Sequence, residues 1–240
     1  MAGLEFSIAP EVVARFPGIS VHAVSAAGFR SGAGRVDDSG LLQDAVRRVA
    51  ASRVEREKLA SHPAIAAWRA AYATLRVRPS QFRASIESLM RRALGGADLA
   101  LPVPAVNLYN AISLRHLAPL GAYDLAKLPA GPMRLRLARP ESDQFLPLGG
   151  SAEDFPLNPE LVVYGSGDMV LCWGLNCRDH RATALDAGSD DIVFFSEAVD
   201  SDGAERSRTA LADLRAILAA AGVACGPQLQ ADAARPAFTL

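Results

Sequence analysis

Apolar positions recur at helical spacing over two neighbouring stretches, and the rest of the pattern is arranged around them. From Ser80 onward, Phe82, Ile86, Leu89 and Met90 form one stripe, with Ser85, Glu87, Ser88, Arg91 and Arg92 between them and Gly95-Gly96 as a stop. This predicts an amphipathic helix of about four turns. Pro102 and Pro104 bar helix until Ala105, after which Val106, Tyr109, Ile112, Ser113 and His116 give a second stripe that ends before Pro119. Ahead of these, Leu4–Ile8 reads as a short strand, Pro10–Phe16 as a helical turn and Ile19–Ala27 as an alternating strand. Arg30–Gly40 is a loop by its Gly, Ser and Asp content, Leu41–Leu59 a helix buried through Leu42, Val46, Val49 and Val54, and His62-Pro63 opens a helix through Trp68 and Tyr72.

After Asp124 the pattern changes to short strands: Met133–Ala138, Gln144–Leu148, Leu161–Tyr164, Met169–Trp173 and Ile192–Phe195. Turn residues fall between them at Pro140–Asp143, Gly149-Gly150, Gly165–Gly167 and Gly188–Asp190. Ala204–Ala221 is a closing helix ended by Gly222. The chain is read as α+β, one domain over residues 1–226. Its parts are an N-terminal α/β part (1–75), central helices (76–128), a β-rich half (129–200) and the closing helix (204–222), with 227–240 as a loose tail. No internal repeat is visible.

Composition narrows the function classes. A 240-residue chain with 50% hydrophobic and 21% charged residues can bury a sizeable core, and the 6% aromatic content makes that core aliphatic. The net charge of −1 hides an asymmetry: residues 76–140 carry +7 (10 basic, 3 acidic) and residues 141–205 carry −12 (2 basic, 14 acidic). A basic segment in a mildly acidic chain suits docking to a polyanion on one face, or neutralisation of one segment by the other. Arg outnumbers Lys 23 to 2, and because the excess runs through the whole sequence it is read as codon bias of a GC-rich genome and not as an adaptation to phosphate. Cys172, Cys177 and Cys225 make neither a disulfide framework nor a zinc pattern, so reduced thiols in a cytoplasmic protein are expected, with no metal and no cofactor. No basic-then-apolar leader and no long uncharged apolar run is present, so neither secretion nor membrane contact is expected.

Chemistry-bearing residues concentrate in two places. Asn107 and Asn110 lie one turn apart on the second helix, where each can offer a donor and an acceptor to one ligand or bond to neighbouring backbone. Asn176-Cys177-Arg178-Asp179-His180 follows the apolar run Met169–Trp173 and can set an amide, a cation and a carboxylate at the mouth of a pocket, or form a solvated turn. No GxSxG, HExxH or catalytic cysteine pattern occurs, so any hydrolysis must use water. His22, His62, His116 and His180 are scattered, and only His180 lies beside a candidate site.

Several segments carry a common resemblance: PSQFRASIESLMRR, LYNAISL and APLGAYDLAKL, then Arg134–Ala138, Phe145–Gly150, Glu160–Tyr164, Val170–Cys172 and Asn176–Arg178, with Trp68-Arg69 and Tyr72 upstream. Together they resemble the B3/B4 domain of the phenylalanyl-tRNA synthetase β subunit, and most nearly its free-standing relatives. The resemblance implies a three-layer α+β fold in which helices flank an antiparallel β-sandwich. It also implies a site that edits mischarged tRNA by holding the 3′ adenosine, recognising the amino acid and orienting water at an already activated ester. Two departures stand out: Gly121 replaces the synthetase's His before Ala122-Tyr123-Asp124, and its Gly-Gly-Glu-His segment has no counterpart around Asn176–Arg181. Tyrosine specificity therefore does not carry over, and the chain is not expected to be an aminoacylating ligase itself.

On that resemblance the chain binds the aminoacylated 3′ end of tRNA and hydrolyses mischarged aminoacyl-tRNA in trans, with no DNA partner. The alternative is a non-catalytic module for an amino acid or small metabolite. The expected catalytic residues are Asn176, Arg178 (stabilising an oxyanion or phosphate) and Asp179 (accepting from the α-amino group or ordering water). Arg83, Ser85, Asn107, Asn110, Tyr123, Gly149 and Gly150 are expected to bind substrate, and Arg76, Arg78, Arg91 and Arg92 the tRNA backbone. Phe82, Leu89, Tyr109 and Ile112 are assigned to the core.

Overall fold

The computed structural model describes residues 3–240. In chain order the elements are β1 (Glu5–Ile8), α1 (Pro10–Arg15), β2 (Ser20–Ala27), α2 (Phe29–Ala33), α3 (Asp38–Ala50), α4 (Pro63–Thr74), α5 (Ser85–Leu94) and α6 (Pro104–His116). There follow β3 (Gly121–Asp124), β4 (Met133–Leu137), β5 (Val162–Ser166), β6 (Met169–Trp173), β7 (Arg178–Asp179), β8 (Ile192–Ala198), α7 (Ser201–Ala220), β9 (Ala224–Cys225), β10 (Leu229–Asp232) and β11 (Ala237–Thr239). One sheet runs β11-β1-β4-β5-β6-β7 and the other β10-β2-β8-β3, with β9 also on β2. All pairings are antiparallel except β1 with β4. The fold is α+β, as the segment pattern implies.

Strand alternation decides what each face does. Along β8, Val193 and Phe195 turn toward the other sheet, where Phe195 meets Phe6 and Tyr164 at ring distances of 5.7 and 5.9 Å. Ile192 and Phe194 turn the opposite way, onto Leu108 and Ile112 of α6 and Leu211, Leu214 and Leu218 of α7. The two sheets thus share one aliphatic and aromatic core, and helices cover the outer face of the β8 sheet. Ser196, on the helix side, donates to the Pro119 carbonyl at 2.7 Å and lies 2.8 Å from the Ser207 hydroxyl.

Several boundaries differ from the sequence expectation, each for a local reason. The expected loop at 30–40 contains α2 and the start of α3, because the Asp37 carboxylate caps that helix by accepting from the Gly40 amide at 2.9 Å. α3 ends at Ala50, well short of Leu59. The expected helix from Ser80 begins at Ser85, since the Gln81 and Phe82 amides close a turn on the Arg78 carbonyl first. Gln144–Leu148 makes two isolated bridges, to Met169 and His180, and no regular strand. Residues 227–240, read as a loose tail, supply β10 to one sheet and β11 to the other.

Candidate functional site

A cavity of about 120 Å³ lies between the sheets, beneath α5 and α6. Its walls come from Ser85 at the start of α5, Tyr109 and Asn110 of α6, Gly121 and Tyr123 of β3, Tyr164, Cys172 and Asp179 of β5 to β7, and Phe195 and Glu197 of β8. The turn after β6 adds Asn176. That turn is tightly specified: Gly174 and the wholly buried Leu175 both adopt φ of 65°, a left-handed backbone that leucine rarely accepts. It throws Asn176 back over Tyr72 of α4, whose hydroxyl donates to the Gly174 carbonyl at 2.5 Å and to Asn176 Oδ1 at 3.4 Å.

Asn176 is the hub of the polar wall. Its Oδ1 also accepts from the Ser85 backbone amide at 3.3 Å, and its Nδ2 donates to Glu197 Oε2 at 3.3 Å. The other carboxylate oxygen of Glu197 accepts from the Tyr164 hydroxyl at 2.7 Å. No cation is within bonding reach of this glutamate among the described residues. Burial pushes its pKa up to about 7, against the hydrogen bonds from Tyr164 and Asn176 and with help from the Asp179 charge. Burial likewise raises Asp179, which lies opposite Cys172 in the β6–β7 pairing. The Cys172 thiol is raised by burial and Cys177 is pushed up to about 11, so neither is a nucleophile near neutral pH. The Ser85 hydroxyl is buried without a hydrogen-bond partner. No three His, Cys, Asp or Glu side chains are placed to hold a metal among the described residues.

Of the residues expected to bind substrate or act on it, the cavity brings together Ser85, Asn110, Tyr123, Asn176 and Asp179. Asn107 turns elsewhere: it accepts from the Leu101 amide at 2.9 Å and donates to the Leu101 carbonyl at 2.8 Å and to Asp38 at 2.7 Å, clamping the 98–103 loop to α3. Arg178 is exposed, donates to the Leu148 carbonyl at 3.1 Å and lies 5.3 Å over the Phe155 ring. Neighbouring strand residues face opposite ways, so with Asp179 turned into the cavity beside Cys172, Arg178 must turn out beside Trp173. Gly149 and Gly150, at φ of 78° and 84°, shape an exposed turn and line no part of the cavity. Arg83 stands outside the lining, 3.6 Å from Glu87. Of the backbone-binding set, Arg76, Arg78 and Arg92 are exposed, whereas Arg91 is engaged by Glu87 at 2.8 Å.

Glu197 and Tyr164 escaped the sequence reading, and Tyr109 lines the cavity although assigned to the core. The signal for Glu197 was the alternation itself, because Val193, Phe195 and Glu197 fall on one face of a strand buried along its whole length. His180 is buried against the Phe145 ring at 6.0 Å, its Nδ1 accepts from the Ala182 amide at 3.1 Å, and burial lowers its pKa.

Comparison with known families finds the B3/4 domain over residues 67–214. A solved structure similar to this one is an N-terminal fragment of the phenylalanyl-tRNA synthetase beta-subunit from Pyrococcus horikoshii. It shares 11% identity at a TM-score of 0.46, with 94% of this chain and 53% of that chain covered, so this chain spans about half that fragment's length. No curated protein matches the sequence. No helix among the described residues is long and apolar enough to cross a membrane.

Proposed function

Because the chain belongs to the B3/4 domain family, we propose that it binds the aminoacylated 3′ end of tRNA and hydrolyses mischarged aminoacyl-tRNA in trans. The observation that carries this reading is the meeting of Asn110, Asn176, Asp179 and Glu197 in one cavity with aromatic walls. A buried carboxyl near pKa 7 is half ionised at neutral pH, where a general base is most useful. In this reading Glu197 takes a proton from water as the water oxygen adds to the ester carbonyl. It returns that proton to the ribose oxygen as the C–O bond breaks, leaving free amino acid and a 3′ hydroxyl. Asp179 accepts from the α-ammonium, and the unpartnered Ser85 hydroxyl donates to the developing oxyanion.

The size of the cavity bears on the amino acid. A closed apolar cavity of roughly 150 Å³ takes one benzene ring, so about 120 Å³ favours a small aminoacyl group over an aromatic one. The same volume supports a second reading, a module that holds a small free amino acid without turnover. A deacylation panel across tRNAs charged with small and aromatic amino acids separates the two. Release of small amino acids by the purified protein is expected. No release from any tRNA, with a rise in melting temperature on adding a free amino acid, would select the binding module.

A further inference from the structure

On the flank of α5 turned away from Ser85 lies a second charged group, built around Glu87. This carboxylate is only 1% exposed, and three guanidiniums surround it. Arg69 of α4 donates through Nε to Oε2 at 2.9 Å and through Nη2 to Oε1 at 2.8 Å. Arg91, one turn along α5, donates through Nε to Oε1 at 2.8 Å and through Nη1 to the Arg56 carbonyl at 3.4 Å. Arg83, one turn before Glu87, holds its Nε 3.6 Å from the same Oε1, beyond hydrogen-bond reach.

A tie between α4 and α5 needs one guanidinium on this carboxylate. Three leave two positive charges uncompensated, in side chains exposed by only 26%, 35% and 24%. Arg83 makes no side-chain hydrogen bond among the described residues, and its Nε is buried without a partner. The rest of its guanidinium, in a side chain 35% exposed, makes no hydrogen bond to the described residues and is open to an acceptor from outside the protein. Glu87 meanwhile fixes Arg69 and Arg91 in place, and Nη1 of Arg69 and Nη2 of Arg91 have no hydrogen-bond partner among the described residues.

We infer that Arg69, Arg83 and Arg91, arranged around Glu87, form a binding site for a phosphate group. Guanidinium forks match the oxygens of a tetrahedral phosphate, and its negative charge offsets the surplus that Glu87 leaves. The site adjoins the cavity. Arg83 lies two residues before the cavity-lining Ser85, and Tyr72, one turn after Arg69 on α4, reaches Asn176. The phosphate could be a phosphodiester near an RNA 3′ end or a free phosphate. Only the first choice rests on the function proposed above.

The test titrates the full chain with inorganic phosphate and, separately, with an uncharged RNA oligonucleotide ending in CCA. Melting temperature is followed at ionic strength held constant with chloride. Arg83→Gln breaks no hydrogen bond of the fold and is expected to weaken binding by about 10-fold or more, the usual loss for a charged hydrogen bond, while Arg83→Lys restores part of it. A response to RNA alone names the phosphodiester, and a response to inorganic phosphate alone names the free ion. No response to either, or Arg83→Gln binding as tightly as wild type, overturns the site. Aminoacyl-tRNA turnover by the wild-type protein is scored in parallel. Phosphate binding without turnover keeps this site and removes the editing reading, and turnover by a protein indifferent to phosphate and RNA removes this site alone.

Discussion

Glu87 and Glu197 are both buried glutamates, 1% and 4% exposed at side chain and residue, yet their surroundings drive them in opposite directions. Around Glu87, burial raises the pKa but hydrogen bonds from Arg69 and Arg91 outweigh it, and the carboxyl ends below its ordinary value. Around Glu197, burial is opposed by hydrogen bonds from a tyrosine, an amide and the backbone but by no guanidinium, and the carboxyl rises to about 7. Burial alone therefore says little about a carboxylate's role. The partner decides: guanidiniums convert one acid into a fixed anion that organises cations, and neutral donors leave the other as a proton acceptor and donor at neutral pH.

The contrast can be broken most sharply at Glu197. Glu197→Gln keeps shape and polarity but not the titrating proton, and single-turnover deacylation at pH 7.5 should fall by roughly 10²–10⁴-fold; an unchanged rate would take the acid out of the chemistry. Next in size, Glu87→Gln leaves three guanidiniums facing one another and should cost about 3 kcal/mol of stability in a urea titration. A loss within error would show that the cluster holds nothing together. The third test uses the sign of each shift. A raised acid binds its proton more tightly folded than unfolded, so Glu197 should make stability fall as pH rises from its unfolded value near 4.5 toward 7. The fall should be about 2 kcal/mol between pH 5.5 and 7, and absent in Glu197→Gln. Glu87, depressed, contributes in the opposite sense: its stabilisation is present above the ordinary glutamate value and is lost as pH falls through its folded pKa. The smallest effect is expected of Arg178→Ala, about 0.5 kcal/mol of stability and less than a threefold change in rate, as for an exposed cation over a ring. A loss of 10-fold or more would return Arg178 to the site.

Much of this was legible from local pattern. The helical stripes, the Gly95 stop and most strands follow from spacing; of the cavity-lining residues, Asn176 and Asp179 stand out as polar positions after an apolar run and Asn110 by its one-turn spacing from Asn107. What escaped needed knowledge of faces and distant partners. Asn107 and Asn110 are three residues apart, about 60° around a helix, too little to separate a cavity wall from a loop clamp until Asp38, 69 residues earlier, arrives beside Asn107. Arg178 and Asp179 were both assigned to the site, although adjacent residues of a strand cannot share a face. Glu197 falls outside the expected strand Ile192–Phe195, whereas pairing with β2 carries β8 on to Ala198. The pairing of 229–232 and 237–239 likewise depends on strands more than two hundred residues away in the chain.

The bond between Tyr164 and Glu197 joins a side chain hung from one sheet to a side chain hung from the other. It is a rivet through the floor of the cavity, so whatever occupies that floor also handles the mechanical coupling of the two sheets. A ligand that draws Glu197 toward itself loosens the rivet, and one that bridges Glu197 and Tyr164 tightens it. Occupancy should therefore be audible far from the ligand, as a change in how quickly the backbone amides of β5 and β8 trade their hydrogens for deuterium.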